Sequence, residues 1–326
     1  LKKYIFACSC CCSLLFGYEP GEGIELANSL KVGGYITAKY ESGKDTSVGM
    51  LDDIAFIAYG NIGSHTRYLF EMENVGRYSH NFSNGKVSQT GAFRPERAVI
   101  DHSFSSHLNL SIGKMITPVG YWNQTPINVL RDTTSSPLVA TNIFPKLITG
   151  AQLYGDAPHV EDVEYTVAAQ SSRDLDEKYN NFMIDRFFGL GAKYTINDDH
   201  EIKAYAGSFR ERVTLIKRNF THLAYKFEKN EWQILSEAAY STIDASNSKN
   251  TTAGGGFVQS RYKINSKNYA IARYEYYFDA HENEKQHLAV VGYNYRPIYP
   301  VSFKAEYQLS STPDRSRFLC SISALF

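Results

Sequence analysis

From residue 31 to residue 326 apolar and polar side chains take turns along the chain, and that period of two constrains its fold more than any other feature. In Val301-Ser-Phe-Lys-Ala-Glu-Tyr-Gln-Leu309 the odd positions are Val, Phe, Ala, Tyr and Leu, and the even ones are Ser302, Lys304, Glu306 and Gln308. Between His65 and Glu73, Thr66, Tyr68, Phe70 and Met72 oppose His65, Arg67, Glu71 and Glu73. Such segments are strands with one face for oil and one for water. Long windows of period 3.6 are hard to find, and no stretch after Phe16 is long and apolar enough for a transmembrane helix. Mean hydropathy is −0.34 although 14% of the residues are aromatic, including 24 Tyr. A chain this polar and this aromatic needs an architecture that alternates throughout. The balance of 34 Lys+Arg against 34 Asp+Glu provides no basic footprint for nucleic acid.

Punctuation by Gly, Pro, Asn, Asp and Ser divides the chain into about 16 strands. They are expected at 31–41, 49–60, 64–74, 96–104, 107–115, 146–154, 160–170 and 183–195, then at 200–210, 218–228, 231–241, 251–263, 266–278, 285–296, 300–310 and 316–326. The links alternate. One set is short, as in 61–63, 105–106, 197–199, 229–230 and 265–266; the other is longer on average, at 42–48, 75–95, 116–145, 171–182 and 242–250. A soluble sandwich has no reason for that parity. A 16-stranded antiparallel transmembrane β-barrel does, with short periplasmic turns, long external loops and both termini on the periplasmic side. The ending Phe318-Leu-Cys-Ser-Ile-Ser-Ala-Leu-Phe326 has the usual last-strand pattern of such barrels, and the aromatics of 274–278 and 293–295 suit interfacial girdles.

Residues 1–17 read as a secretory signal peptide, with a positive Leu1-Lys2-Lys3 and an uncharged stretch from Tyr4 to Phe16. Residues 18–30 then form a periplasmic N-terminal segment and 31–326 the barrel. Cys8, Cys10, Cys11 and Cys12 fall in the signal and Cys320 alone survives, so the mature chain has no internal disulfide. A lipobox at Cys8 has too short an apolar run before it, and ligands in a removed peptide serve no metal site.

The longest link, 116–145, is too long for a structureless connector. It is apolar, proline-rich and charged only at Arg131 and Asp132, so it is expected to fold inward and pack on the barrel wall, narrowing the channel. An isolated charge in such a loop needs water or a partner, and the neighbouring Asp132 is either that partner or the counter-field of a transverse pore potential. Here the motifs Ser111-Ile-Gly-Lys114, Thr117-Pro118-Val119-Gly120, Trp122-Asn123, Phe144-Pro145, Thr149-Gly150 and Leu153-Tyr154-Gly155 resemble the constriction segment of Gram-negative outer-membrane porins related to the phosphate-selective porin O/P group. The resemblance covers roughly 107–155 and implies a 16-stranded trimeric barrel, embedded in outer-membrane lipid, that passes small hydrophilic solutes or ions. It places Arg131, Asp132, Lys114, Lys146 and Trp122 at the constriction. Phosphate-selective members carry a series of pore arginines and a lysine cluster. Here Arg131 stands alone with Lys114 and Lys146 at the borders, which argues against phosphate selectivity.

Strand parity places Arg67, Arg97, Lys203, Arg273 and Lys304 on the lumen face, with Glu71, Asp101, Glu275 and Glu306 among the acids opposite them. The two signs nearly balance. Enzyme readings lack support: no H-E-x-x-H, G-x-S-x-G or P-loop pattern occurs, and Asp101 and His102 face opposite sides of a strand. No catalytic residue, metal site or cofactor is therefore expected. The reading is a passive-diffusion porin in the bacterial outer membrane. The alternatives are an adhesin or receptor barrel whose loops bind a surface and, behind it, a barrel hydrolase.

Overall fold

The computed structural model describes residues 21–27, 29–89, 91–244 and 250–326. Sixteen strands form the wall: β1 (Leu30–Gly43), β2 (Ser47–Ile62), β3 (Thr66–Asn81), β4 (Arg94–Ser105), β5 (Leu108–Ile116), β6 (Leu147–Asp156), β7 (Val163–Gln170) and β8 (Ile184–Asn197), followed by β9 (His200–Glu211), β10 (Lys217–Lys229), β11 (Trp232–Asp244), β12 (Thr251–Asn265), β13 (Asn268–Asp279), β14 (Glu284–Ile298), β15 (Val301–Ser310) and β16 (Arg317–Leu325). Each pairs antiparallel with the next, and β16 returns to β1 from Arg317↔Gly43 to Leu325↔Tyr35. The sheet closes on itself and leaves no wall strand with a free edge. The last residue completes the seam: Phe326 N–H donates to Gly34 O at 2.8 Å, and Gly34 N–H donates to Phe326 O at 2.7 Å. Glycines permit this approach, since a Cβ on Gly33 would lie 2.4 Å from Phe326 O.

All sixteen expected strands are present, and the departures lie at their ends. Strands β2 and β3 stay paired as far as Val48↔Asn81, and Val87–Gln89 folds back onto Tyr78–His80. The expected 75–95 link is therefore largely a protruding hairpin, because pairing goes on satisfying backbone N–H and C=O groups beyond the last alternating residue. The link at 44–46 shrinks accordingly, while the turn at 157–162 is longer than expected, so link parity is a trend carried by 82–93, 117–146 and 171–183. Ile24–Ala27 pairs with the start of β1. The expected signal at 1–17 lies outside the described residues, as do 245–249 of the 242–250 link.

Burial is inverted relative to a water-soluble domain. Along β15 the buried side chains are Ser302, Lys304, Glu306 and Gln308, whereas Phe303, Tyr307 and Leu309 are exposed. A soluble protein buries the second set. The same holds around the wall, where Ile100, Ile112, Leu190, Leu223, Val258 and Val291 point outward in a band. Aromatics flank that band: Trp232, Tyr262, Tyr293 and Phe303 towards the short-turn rim, Phe188, Tyr240, Tyr307 and Phe318 towards the other. An outer surface of this kind suits hydrocarbon with two polar interfaces. Among the described residues no helix is long and apolar enough to cross a membrane; the wall would do so with strands.

Candidate functional site

The chain between β5 and β6 crosses the inside of the barrel. Its two ends are tied together by Thr117 N–H donating to Lys146 O at 3.0 Å and by Asn123 Nδ2, which donates to Thr117 O at 2.8 Å. Gly120 then turns the chain at φ +66°, a left-handed conformation that favours glycine, and a Cβ there would meet Glu237 Oε2 at 2.3 Å. That turn aims the N–H groups of Tyr121 and Trp122 at Glu237 Oε1 on β11, both at 2.8 Å. The other oxygen of Glu237 lies 3.0 Å from His222 Nε2, and both side chains are fully buried.

Two more wall glutamates repeat the arrangement. Glu306 on β15 accepts from the N–H of Thr134 at 2.9 Å and of Ser135 at 3.1 Å, and Glu275 on β13 accepts from Leu138 N–H at 2.7 Å. Lys304 donates to the backbone O of Asn128 and, at 2.7 Å, to its Oδ1. Arg273 joins the set through Thr133 Oγ1 at 2.7 Å, Ser135 Oγ at 2.7 Å and Glu275 at 2.7 Å. Hydrogen bonds to buried charges are worth about 1.5–3 kcal/mol each, and a lone buried carboxylate would be untenable. On this side of the barrel, Glu237, Glu275, Glu306 and Lys304 are thus taken up by the loop's own backbone.

Apolar contacts fasten the same segment on opposite sides of the barrel. Val139, Ala140, Ile143 and Phe144 pack in one cluster with Phe209, Phe220 and Ile243, while Ile127 and Val129 pack in a second cluster with Tyr35, Ala55 and Ile57. The loop therefore bridges the lumen and divides it. On the short-turn side a cavity of about 390 Å³ is lined by Trp122, Asp132, Lys226, Gln259 and Arg261 among others; on the long-link side a cavity of about 320 Å³ is lined by Lys39, Asp53, Glu73, Glu96, Ser135 and Lys146 among others. Arg131 is the residue common to both linings.

Arg131 is half-buried and forms no ion pair among the described residues. Its Nε donates to Thr125 O at 2.6 Å, and its guanidinium stands 5.3 Å from the centre of the Trp122 ring. Asp132, its neighbour in sequence, is not its partner: it takes Arg261 at 3.3 Å and Gln259 at 3.2 Å. Burial lowers the Arg131 pKa, and the carboxylates of Asp53 and Glu96 oppose that shift. Lys146 lines the long-link cavity and donates to Glu96 at 2.6 Å. Lys114 stands apart, fully buried, donating to the backbone O of Pro95 at 2.9 Å and of Asp176 at 2.6 Å.

Of the charges assigned to the lumen by parity, Arg67 pairs with Asp101 at 2.7 Å near the short-turn rim, Arg97 pairs with Glu71, and Lys203 reaches Gln124 of the loop at 2.9 Å. Parity passes over three acids: Asp52, Asp53 and Glu96. Against β1, Thr37 and Ala38 pair with Asp53 and Leu51, and against β3, Glu71 and Met72 pair with Arg97 and Pro95, leaving Asp52 and Glu96 as bulged residues. A bulge lets two successive side chains share one face. Asp52 and Asp53 accordingly line the same cavity, and Glu96 and Arg97 both bond inward. Adjacent charges within an alternating strand were the only signal of this in the sequence.

No family model and no curated protein matches the sequence. Solved structures do resemble the fold. The anion-selective porin from Comamonas acidovorans matches with a TM-score of 0.67 at 10% identity, over 91% of this chain and 99% of that one. The outer-membrane expressed OmpT of Vibrio cholerae, also described in a trimer form, matches with a TM-score of 0.67 at 11% identity, over 94% and 100%. The outer membrane channel DcaP of Acinetobacter baumannii matches with a TM-score of 0.63 at 11% identity, over 94% and 100%. At such identities the likeness is one of fold: a sixteen-stranded barrel of the kind found in outer-membrane porins.

Proposed function

We propose that the protein is a porin of the bacterial outer membrane, a passive-diffusion channel for small hydrophilic solutes and ions, exported by a signal at residues 1–17 and assembled as a trimer. The observation that carries this reading is the inverted barrel whose lumen is divided by an inward loop, with a polar cavity on either side and Arg131 bordering both. Solute would cross in water without a chemical step, filtered by the space beside the loop and by Arg131, Asp132, Lys146 and the wall acids. Trp122 would act by holding the Arg131 guanidinium in place rather than by touching solute. The motifs of 107–155 support a place beside the phosphate-selective O/P group, while the single loop arginine argues for a different solute preference.

Liposome swelling tests the reading. Vesicles holding the folded protein should swell in neutral sugars at a rate that falls steeply with sugar size. Vesicles with inserted, heat-modifiable protein that do not swell in any of them would contradict it.

A further inference from the structure

The cavity on the long-link side is charged in an unusual way, because nearly all of its charges are already paired with one another. Lys39 faces Asp52 at 3.2 Å, Arg317 takes Glu41 at 2.6 Å and Lys146 takes Glu96 at 2.6 Å. Among the described residues two opposite charges are left without an ion-pair partner or a shared proton, Arg131 on the loop side and Asp53 on the β2 wall. Beside Asp53, Glu73 accepts the Tyr35 hydroxyl at 2.9 Å and is hydrogen-bonded to Glu96, a contact between two carboxyls that needs a shared proton. Asp53 stands in phase with the buried Ala55 and Ile57 on the inner face of β2, the bulge there adds Asp52 beside it, and Arg131 is held between Thr125 O and the Trp122 ring.

We propose that this cavity is a binding subsite for small zwitterionic solutes, free α-amino acids with short side chains, whose carboxylate meets Arg131 and whose ammonium meets Asp53. The proposal deepens the channel reading and rests on it for the route of entry. A simple anion brought to Arg131 also faces Asp53, and a simple cation brought to Asp53 faces Arg131 and Lys146; each meets like charge. A molecule carrying both charges a few ångströms apart meets neither penalty. A guanidinium matches a carboxylate with paired N–H donors, and only Nε and Nη1 of Arg131 are engaged by the protein. The hydroxyls of Ser135 and Ser136 line the same space. Its volume of about 320 Å³ equals the liquid share of about ten waters, which accommodates a small amino acid and its remaining hydration.

Saturation-transfer NMR on the folded, detergent-solubilised protein tests this with four probes of similar size: L-alanine, the anion N-acetyl-L-alanine, the cation L-alaninamide and the neutral N-acetyl-L-alaninamide. L-Alanine should give a saturable signal, with the three capped forms weaker by about tenfold or more. Arg131→Gln and Asp53→Asn, each checked for folding by heat-modifiable mobility, should each weaken L-alanine by a similar factor. An equal response to all four probes, or a preference for either singly charged one, would overturn the proposal without recourse to any variant. The readout needs no ion current, so the two readings fail separately. Selective binding by a protein that carries no current would uphold the subsite and overturn the channel; a conducting protein with uniform responses would do the reverse.

Discussion

Two sides of the same lumen use the same residue type for opposite ends. On the β11–β15 side Glu237, Glu275 and Glu306 are covered by the loop and accept its backbone N–H groups. On the β2–β4 side Asp53, Glu73 and Glu96 border open space and answer to side chains, or, at Asp53, to no ion-pair partner. A wall carboxylate is thus a structural anchor where the loop lies on it and a filter charge where it does not. What separates the two roles is the path of one segment, 117–146, and not the composition of the wall.

The largest effect that could break this contrast lies at an anchor. Glu237→Leu leaves the N–H groups of Tyr121 and Trp122 without their acceptor, at a cost of about 1–3 kcal/mol each. The expected outcome is a folded barrel whose 117–146 segment is cut by proteinase where the parent protein resists. Glu306→Gln keeps an acceptor and loses the charge, so it should cost about 1 kcal/mol and show as added open-channel noise in bilayer recordings without cleavage. At the other wall neither stability nor proteolysis should change. Arg131→Ala should move the reversal potential in a KCl gradient towards cations, since it removes the positive charge bordering both cavities. Asp53→Asn should move it towards anions by a smaller amount, because Asp53 lines only one of them. Equal behaviour of Glu237→Leu and Asp53→Asn in proteolysis and in selectivity would erase the distinction.

Alternation made the barrel legible, because a wall with oil on one side and water on the other must repeat every two residues, and sixteen such runs were countable. The loop was legible too, since an uncharged, proline-rich stretch around Arg131 and Asp132 has to lie against something. Its partners were not. Glu237, Glu275 and Glu306 look like any other lumen acids until the fold brings Tyr121, Thr134 and Leu138 to them across more than a hundred residues of sequence. Asp132, one candidate partner for Arg131, pairs elsewhere for the same reason, with Arg261 arriving from β12. Asp52 and Glu96 were hidden by bulges, which shift parity by one residue and leave only adjacent charges as a trace.

Single-channel conductance in planar bilayers under a KCl gradient, with Arg131→Ala recorded beside the parent protein, tests the central claim most directly. Stable open steps with a reversal potential displaced by the substitution are the predicted result. A correctly inserted parent protein that stays silent, or a reversal potential indifferent to Arg131, would contradict a channel filtered beside its loop.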